Sequence, residues 1–374
     1  MRMPIPRLYL GTMTFGWSAQ TSSVVDESVA TEMVRHFLDH SDTKAIHYID
    51  TARIYAGGKT EQILGSALRT IGSEPKYALS PLVVGTKAHP SQPEGLSTEG
   101  ISQQFQASLN AMKLPNSASQ VGEFYLHQPD VEHSLLESLQ TAHHMITEGQ
   151  ITELGLSNYH ASEVQRAFEL CEQHGLTKPT VYQGLYNPLN RAVETELVPL
   201  LKKNNCRFIA YNPLAAGLLA GKHKRPSSSD NNSNEAEVKA GRFKNNPNYL
   251  PRFYTDANFD ALDLIQSALQ KEEGQLTMVE ATYRWMLLHS ALDASAGDGL
   301  LIGASSVAQL DENLAACAAA ANMGPLSSQL VQAFDDAWKI TEQAGCFPYW
   351  RSYSSDMPGR ESLDHGASYS AIKK

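Results

Sequence analysis

The sequence predicts a protein of the α/β class, folded as a single (β/α)8 (TIM) barrel domain over residues 1–374. Three observations carry that expectation. Eight short segments rich in β-branched and aromatic residues recur along the chain, most of them followed by apolar residues at helical spacing. Strict alternation of strand and helix means parallel strands with right-handed crossovers, and eight such units close most naturally into a barrel. No GxGxxG follows the first strand, as a doubly wound dinucleotide fold would have. A length of 374 residues fits two average domains, but one barrel also reaches it.

Residues 8–14 read as the first strand, running into a polar loop around Phe15-Gly16-Trp17. Residues 26–39 carry Val29, Met33, Phe37 and Leu38 at helical spacing. Residues 45–49 are a buried strand ending at Asp50, and Tyr55 follows on a loop before Ala56-Gly57-Gly58, where glycines allow a tight turn. A helix over residues 60–68 has Thr60 as its expected cap. Further strands end at Lys87, His127, Ser157-Asn158, Gln183, Tyr211 and Gly303-Ala304-Ser305, separated by helical patterns over 98–114, 132–148, 161–174 and 194–203. Two stretches break the rhythm. Residues 222–248 hold a polar, Ser/Asn-rich mobile loop after the strand ending at Tyr211, either a lid or a tolerated insertion. Residues 352–374 are a polar tail expected to be weakly ordered.

Composition excludes several classes. A hydrophobic share of 42% and a charged share of 19% are those of an ordinary globular protein. A net charge of −10 argues against general nucleic-acid or anionic-membrane binding, so any phosphate site must be a local cluster. Cys171, Cys206, Cys317 and Cys346 form neither a CxxC pair nor a zinc spacing and read as reduced, mostly buried thiols. No run is long enough to span a bilayer and residues 1–6 lack an apolar signal segment, so the cytoplasm is the expected location. No metal is expected: the histidines near the strand ends are not spaced as a ligand set, and His143 and His144 point to different faces of one helix.

In a barrel the carboxyl ends of all strands share one mouth. Asp50, Lys87, His127 and the nearby Tyr55 would then meet and form a proton-delivery device. A free phenol is too weak an acid to donate efficiently near neutrality, and a neighbouring ammonium would favour the phenolate. Asp50 would hold Lys87 charged and pointed, while His127 would orient a carbonyl by a hydrogen bond. The natural proton acceptor is an oxygen gaining negative charge, for example a carbonyl taking up hydride. Singly, each residue has a blander role: Asp50 and Lys87 as an ordinary buried pair, Tyr55 as a surface aromatic, His127 as a satisfied core histidine.

The chain resembles the aldo-keto reductases. The matching pieces are LGTMTFG from Leu10, YIDTARIYAGGKTEQILG from Tyr48, VVGTKAHP from Val83, FYLHQPD from Phe124 and ITELGLSNYHASEV from Ile151. VYQGLYNPLNR from Val181, IAYNPLAAGLLAGK from Ile209, GRF from Gly241 and LIGASSVAQLDENLAA from Leu301 continue the match in family order. Within the family the chain looks closest to the aflatoxin-aldehyde and succinic-semialdehyde reductase branch, through YNPLAAGLLAGK, GRF and the late Gly345–Arg351 stretch.

The resemblance implies NADPH-dependent reduction of aldehydes and ketones. Tyr55 would be the general acid, tuned by Lys87 and Asp50, with His127 positioning the carbonyl. NADPH (NADP+) would lie with its carboxamide on Ser157, Asn158 and Gln183, and its nicotinamide stacked on Tyr211. Asn212, Leu214, Gly217 and Leu219 would embrace the pyrophosphate, with charge added by Lys222 and Arg242. Gly303, Ala304 and Ser305 at a helix start would suit the 2′-phosphate. Gln309, Glu312 and Asn313, on one helical face, would hold the adenosine; without the resemblance that trio reads as a solvated face. The family often places a basic residue beside the 2′-phosphate, yet residues 304–310 contain none. Met13, Trp17, Tyr55, His127, Phe347, Tyr349 and Trp350 would wall the substrate pocket, and Arg351 would clamp a substrate carboxylate or face solvent. The implied partner is a small carbonyl compound, and the working unit a monomer or homodimer. One alternative is a cofactor-binding regulatory subunit like the potassium-channel β subunits, with little turnover.

Overall fold

The computed structural model describes residues 3–18, 24–40, 45–78, 80–115, 121–221, 223, 225, 250–272, 274 and 276–367. Its sheet is a closed barrel of eight parallel strands in sequence order. The strands are β1 (Arg7–Gly11), β2 (His47–Asp50), β3 (Leu82–Ala88), β4 (Val121–Leu126), β5 (Ile151–Ser157), β6 (Val181–Leu185), β7 (Arg207–Tyr211) and β8 (Gly299–Gly303). Each pairs with the next, and β8 returns to β1 with Tyr9 opposite Leu301, so no edge is left to template aggregation. The barrel expectation is borne out, with all eight strands where the hydrophobic pattern put them.

Outside the barrel lie α1 (Glu27–Asp39), α2 (Lys59–Gly72), α3 (Thr98–Met112), α4 (Leu135–Thr147), α5 (Ala161–His174) and α6 (Leu197–Lys203). Between β7 and β8 come α7 (Leu250–Phe253), α8 (Asp256–Leu269) and α9 (Met278–Leu288), and the last strand is followed by α10 (Val307–Met323) and α11 (Ser328–Gln343). Their apolar faces and the outer faces of the strands form one continuous core, from Leu10 and Phe37 round to Phe334 and Tyr349.

The lumen is packed separately. Tyr9, Tyr125, Val181, Ile209 and Leu301 fill it, with Tyr48 and Tyr211 against them. Two rings need glycines opposite: a Cβ on Gly155 would lie 2.3 Å from the Tyr125 ring, and one on Gly299 would lie 2.6 Å from Tyr9. Towards the floor the polar ends of these rings are satisfied. Tyr9 and Tyr125 both donate to the buried Glu123 carboxylate, at 2.8 and 2.7 Å. Arg207 bonds Glu123 at 2.9 Å and takes Glu153 with both terminal nitrogens.

Two local expectations need correction. Thr60 does not cap α2: the position before the helix is Gly58, at φ 90°, and the Thr60 hydroxyl instead donates to the Phe15 carbonyl at 2.7 Å. Thr60 is fully buried, so its hydroxyl spends itself on tying the β1 loop to α2. The tail expected to be weakly ordered packs on the barrel through residue 367. Ser352, Tyr353 and Ser354 are buried, Arg351 bridges to Gly366, and Asp356 pairs with Arg166 at 2.6 Å. Polar composition suggested solvent, but these polar groups find partners on α4 and α5. Residues 368–374 lie outside the described residues.

Candidate active site

The carboxyl rim gathers the expected residues. Asp50 ends β2, Lys87 is the penultimate residue of β3, and His127 follows β4. Lys87 Nζ sits 2.5 Å from Asp50 Oδ1 and donates to the Thr51 carbonyl at 2.7 Å. Gln183 Nε2 donates to the same Asp50 oxygen at 2.8 Å. The ammonium lies 5.4 Å from the centre of the Tyr55 ring, and the Tyr55 and His127 rings meet edge to face at 5.8 Å. Four side chains from three strand ends and one loop thus converge.

Tyr55 opens a short turn, Tyr55–Gly58, in which Ala56, Gly57 and Gly58 all have positive φ. Glycine is favoured at position 58 by its φ of 90°, and an added Cβ would also push the Arg53 guanidinium from its place. That guanidinium bonds the buried Glu61 at 2.5 Å, and Glu61 also accepts from Thr86 on β3 at 2.7 Å. Arg53, Glu61 and Thr86 therefore pin the tyrosine loop to the strand that carries Lys87. Sequence reasoning missed this bracket, although Arg53 and Glu61 flank the two glycines that let them meet.

Burial sets the electrostatics. Lys87 is fully buried, and desolvation outweighs the Asp50 carboxylate, drawing its pKa below that of an ordinary lysine. A more acidic ammonium is a readier donor to a phenolate beside it. His127 is held neutral, its pKa pushed well down by burial and then by His89, Lys87 and Arg351. Its Nδ1 is buried without a hydrogen-bond partner among the described residues. His89, also missed by sequence reasoning, packs its ring 5.0 Å from His127, and burial followed by Arg351 lowers its pKa to about 4. Its Nδ1 accepts from the Ser91 amide at 3.0 Å, which fixes the ring.

The opposite side of the rim holds the residues expected at the dinucleotide. Asn158 donates to the His127 carbonyl at 2.8 Å and to Ser157 Oγ at 3.0 Å, and accepts from Tyr211 at 2.7 Å. Its amide thus braces the rim. The Ser157 hydroxyl hydrogen and one Gln183 N–H have no acceptor among the described residues, a donor set that fits a carboxamide oxygen. Tyr211 is half-buried and leans on the lumen cluster.

After β7, Asn212, Ala215, Ala216 and Gly217 all take positive φ, and the Asn212 side chain accepts from the Ala216 amide at 2.6 Å. The amides of Gly217 and Leu219 donate to the Leu214 carbonyl, and the Leu219 side chain is in the core, so of Leu219 only backbone can face a ligand. Lys222 and Arg242 lie outside the described residues. At the end of β8, Gly303 is exposed, and an added Cβ there would meet open space. Ser306 caps α10, Ser305 donates through amide and hydroxyl to Gln309 Oε1, and Asn313 bonds the Gly303 carbonyl at 3.2 Å. Glu312 is exposed, on the same helix, and Ala304 is buried, its carbonyl held by Thr14. A long helix with a polar, glycine-opened entry fits a phosphate-bearing ligand.

Met13 and Trp17 are half-buried on the β1 loop at the same rim. A small cleft, partly open to solvent, runs from Asn158, Tyr211 and Asn212 to Phe347, Tyr349 and Arg351, with Arg252 of α7 on its wall. Arg252 stacks on Phe347 at 4.1 Å. Arg351 donates to Gln128 at 3.4 Å, and its backbone amide to the Asn158 carbonyl at 2.9 Å. Trp350 packs on His160 at 4.8 Å and donates to Asp364, and it does not line this cleft. Arg252 escaped sequence reasoning because nothing in its neighbourhood distinguishes it from a solvated cation. Among the described residues no His/Cys/Asp/Glu group could hold a metal ion.

The chain matches the Aldo/keto reductase family over residues 7–339. It is 37% identical over 351 residues to the aflatoxin B1 aldehyde reductase member 2 of Rattus norvegicus, covering 92% of this chain and 88% of the relative. It is 38% identical over 354 residues to the human aldo-keto reductase family 7 member A3, covering 92% of this chain and 97% of the relative. An aldo-keto reductase of Pseudocercospora fijiensis is 34% identical over 295 residues, covering 79% and 93%. The rim geometry and these likenesses agree: the chain belongs to the aldo/keto reductase family and is an oxidoreductase of carbonyl groups.

Proposed function

We propose that the protein reduces small aldehydes and ketones to alcohols with NADPH, Tyr55 delivering the proton. The observation that carries the reading is the buried Lys87–Asp50 pair set beside the Tyr55 ring, with neutral His127 across from it. When bound, the dinucleotide supplies hydride to the carbonyl carbon. His127 donates a hydrogen bond to the carbonyl oxygen without carrying charge into the site. Tyr55 protonates that oxygen as charge develops on it, and the Lys87 ammonium stabilises the phenolate left behind. Ser157 and Gln183 hold the carboxamide and Tyr211 covers one face of the nicotinamide. The loop around Leu214 and Gly217, with Lys222, takes the pyrophosphate. The entry to α10 takes the adenosine end.

The cleft favours substrates that carry a carboxylate, because Arg351 and Arg252 both line it. The aflatoxin B1 aldehyde reductases among the relatives support an aldehyde as the reacting group. The expected setting is the cytoplasm, as a monomer or homodimer.

The test is the fall in NADPH absorbance against a panel of aldehydes. Turnover is expected on at least one short aldehyde, and Tyr55→Phe is expected to lower kcat by about a hundredfold or more while NADPH still binds. Tight NADP binding with negligible turnover throughout would overturn the reading in favour of a cofactor-sensing subunit.

A further inference from the structure

Tyr349 and Arg351, which face the cleft from the C-terminal side, sit on a strap, Tyr349 to Asp356, clasped by the N-terminal ends of α4 and α5. Ser354 donates its amide to Glu163 Oε1 at 2.8 Å. Asp356 takes Arg166 through both carboxylate oxygens, at 2.6 and 3.3 Å, and accepts from the Leu135 amide at 2.9 Å. The Ala161 amide donates to the Tyr349 hydroxyl at 3.1 Å. Glu163 is fully buried, and its Oε2 has no hydrogen-bond partner among the described residues. A buried carboxyl with one empty oxygen, gripping the backbone three residues beyond Arg351, is not explained by the reaction.

We propose that Glu163 is a positioning residue for the substrate end of the cleft: by gripping the Ser354 amide it sets Arg351 over the mouth. It acts through the strap and touches neither substrate nor cofactor. The groups facing it are Ser354, Tyr353 and Asp356 from the strap, Tyr159 from the preceding loop, and Arg166 one turn on. Burial pushes its pKa from the ordinary 4.5 up to about 7, against the pull of Ser354 and Arg166. A raised carboxyl favours the docked strap fully below 4.5, and that preference fades as pH rises through about 7. The Asp356 clasp persists over that window, since its carboxyl is lowered: burial opposes, and Arg166 and the Leu135 amide prevail.

This rests on the reading of Arg351 as the contact for a substrate carboxylate, so two measurements are needed. The first compares KM for a carboxylate-bearing aldehyde with that for an uncharged aldehyde of the same length, at about pH 6 and about pH 8.5. The KM of the charged substrate is expected to rise about threefold or more while kcat and the uncharged substrate follow a common profile; Glu163→Gln, a permanent mimic of the neutral acid, flattens the rise. The second is hydrogen exchange of the Ser354 amide, with wild type and Glu163→Gln compared at one pH. The variant is expected to be about threefold or more better protected at pH 8.5 and equal to wild type at about pH 5. Equal protection at both pH values, or a Glu163→Gln profile that titrates like wild type, overturns the proposal. An Arg351→Ala variant that treats both aldehydes alike, with the exchange difference intact, sinks the carboxylate reading and leaves the strap role standing.

Discussion

Lys87 shows how a single side chain can be legible in type and illegible in setting. Its place at a strand end, like those of Asp50 and His127, follows from hydrophobic segments that stop on an ionisable residue, and the barrel then brings such residues to one rim. What could not be read was the bracket of Arg53, Glu61 and Thr86, because two charges eight residues apart look like an exposed pair until the glycines fold them together. Nor could the His89–His127 contact be read, since only tertiary packing sets two rings 5.0 Å apart. That contact has a pH consequence. Both imidazoles are half-buried and held neutral by desolvation, with pKa values below the ordinary 6.5, to about 4 for His89. Depressed groups lend stability that is present above 6.5 and is lost as pH falls through about 4. The urea midpoint is therefore expected to fall across that window, and a His89→Gln variant is expected to lose less than wild type.

At the scale of the element, β5 and the C-terminal strap make opposite points. The segment that forms β5 was readable as a strand, but nothing local assigned a role to Gly155 within it. It is a slot for the Tyr125 ring, which an added methyl would meet at 2.3 Å. Gly155→Val is expected to cost about 1–3 kcal/mol or more by overpacking, read as a lowered urea midpoint. Beyond Arg351 the strap carried no periodicity, and its polar composition read as tail. Its order comes from bonds to α4 and α5 that no local pattern announces, among them the two-point Arg166–Asp356 pair. Thr60 teaches the same lesson in miniature: a residue suited to capping was claimed by a carbonyl from another loop.

Across the whole molecule, closure of the barrel was legible because each strand–helix unit repeats the same signal eight times, so an error in one unit leaves the fold standing. The lumen was not, since inward-facing residues are one or two per strand and meet only across the barrel. Its floor, built on Glu123, makes a separable prediction. Glu123→Ala would orphan two buried tyrosine hydroxyls and loosen Arg207, a change expected to cost about 3–5 kcal/mol in unfolding experiments. Turnover at temperatures where the variant stays folded is expected to fall less than stability does, because the carboxylate bonds only floor groups, although its charge also supports the Lys87 ammonium. Such a floor also governs traffic. With one end of the cylinder stoppered by aromatic rings and an ion pair, whatever the barrel binds along its axis must arrive, and depart, by the open rim.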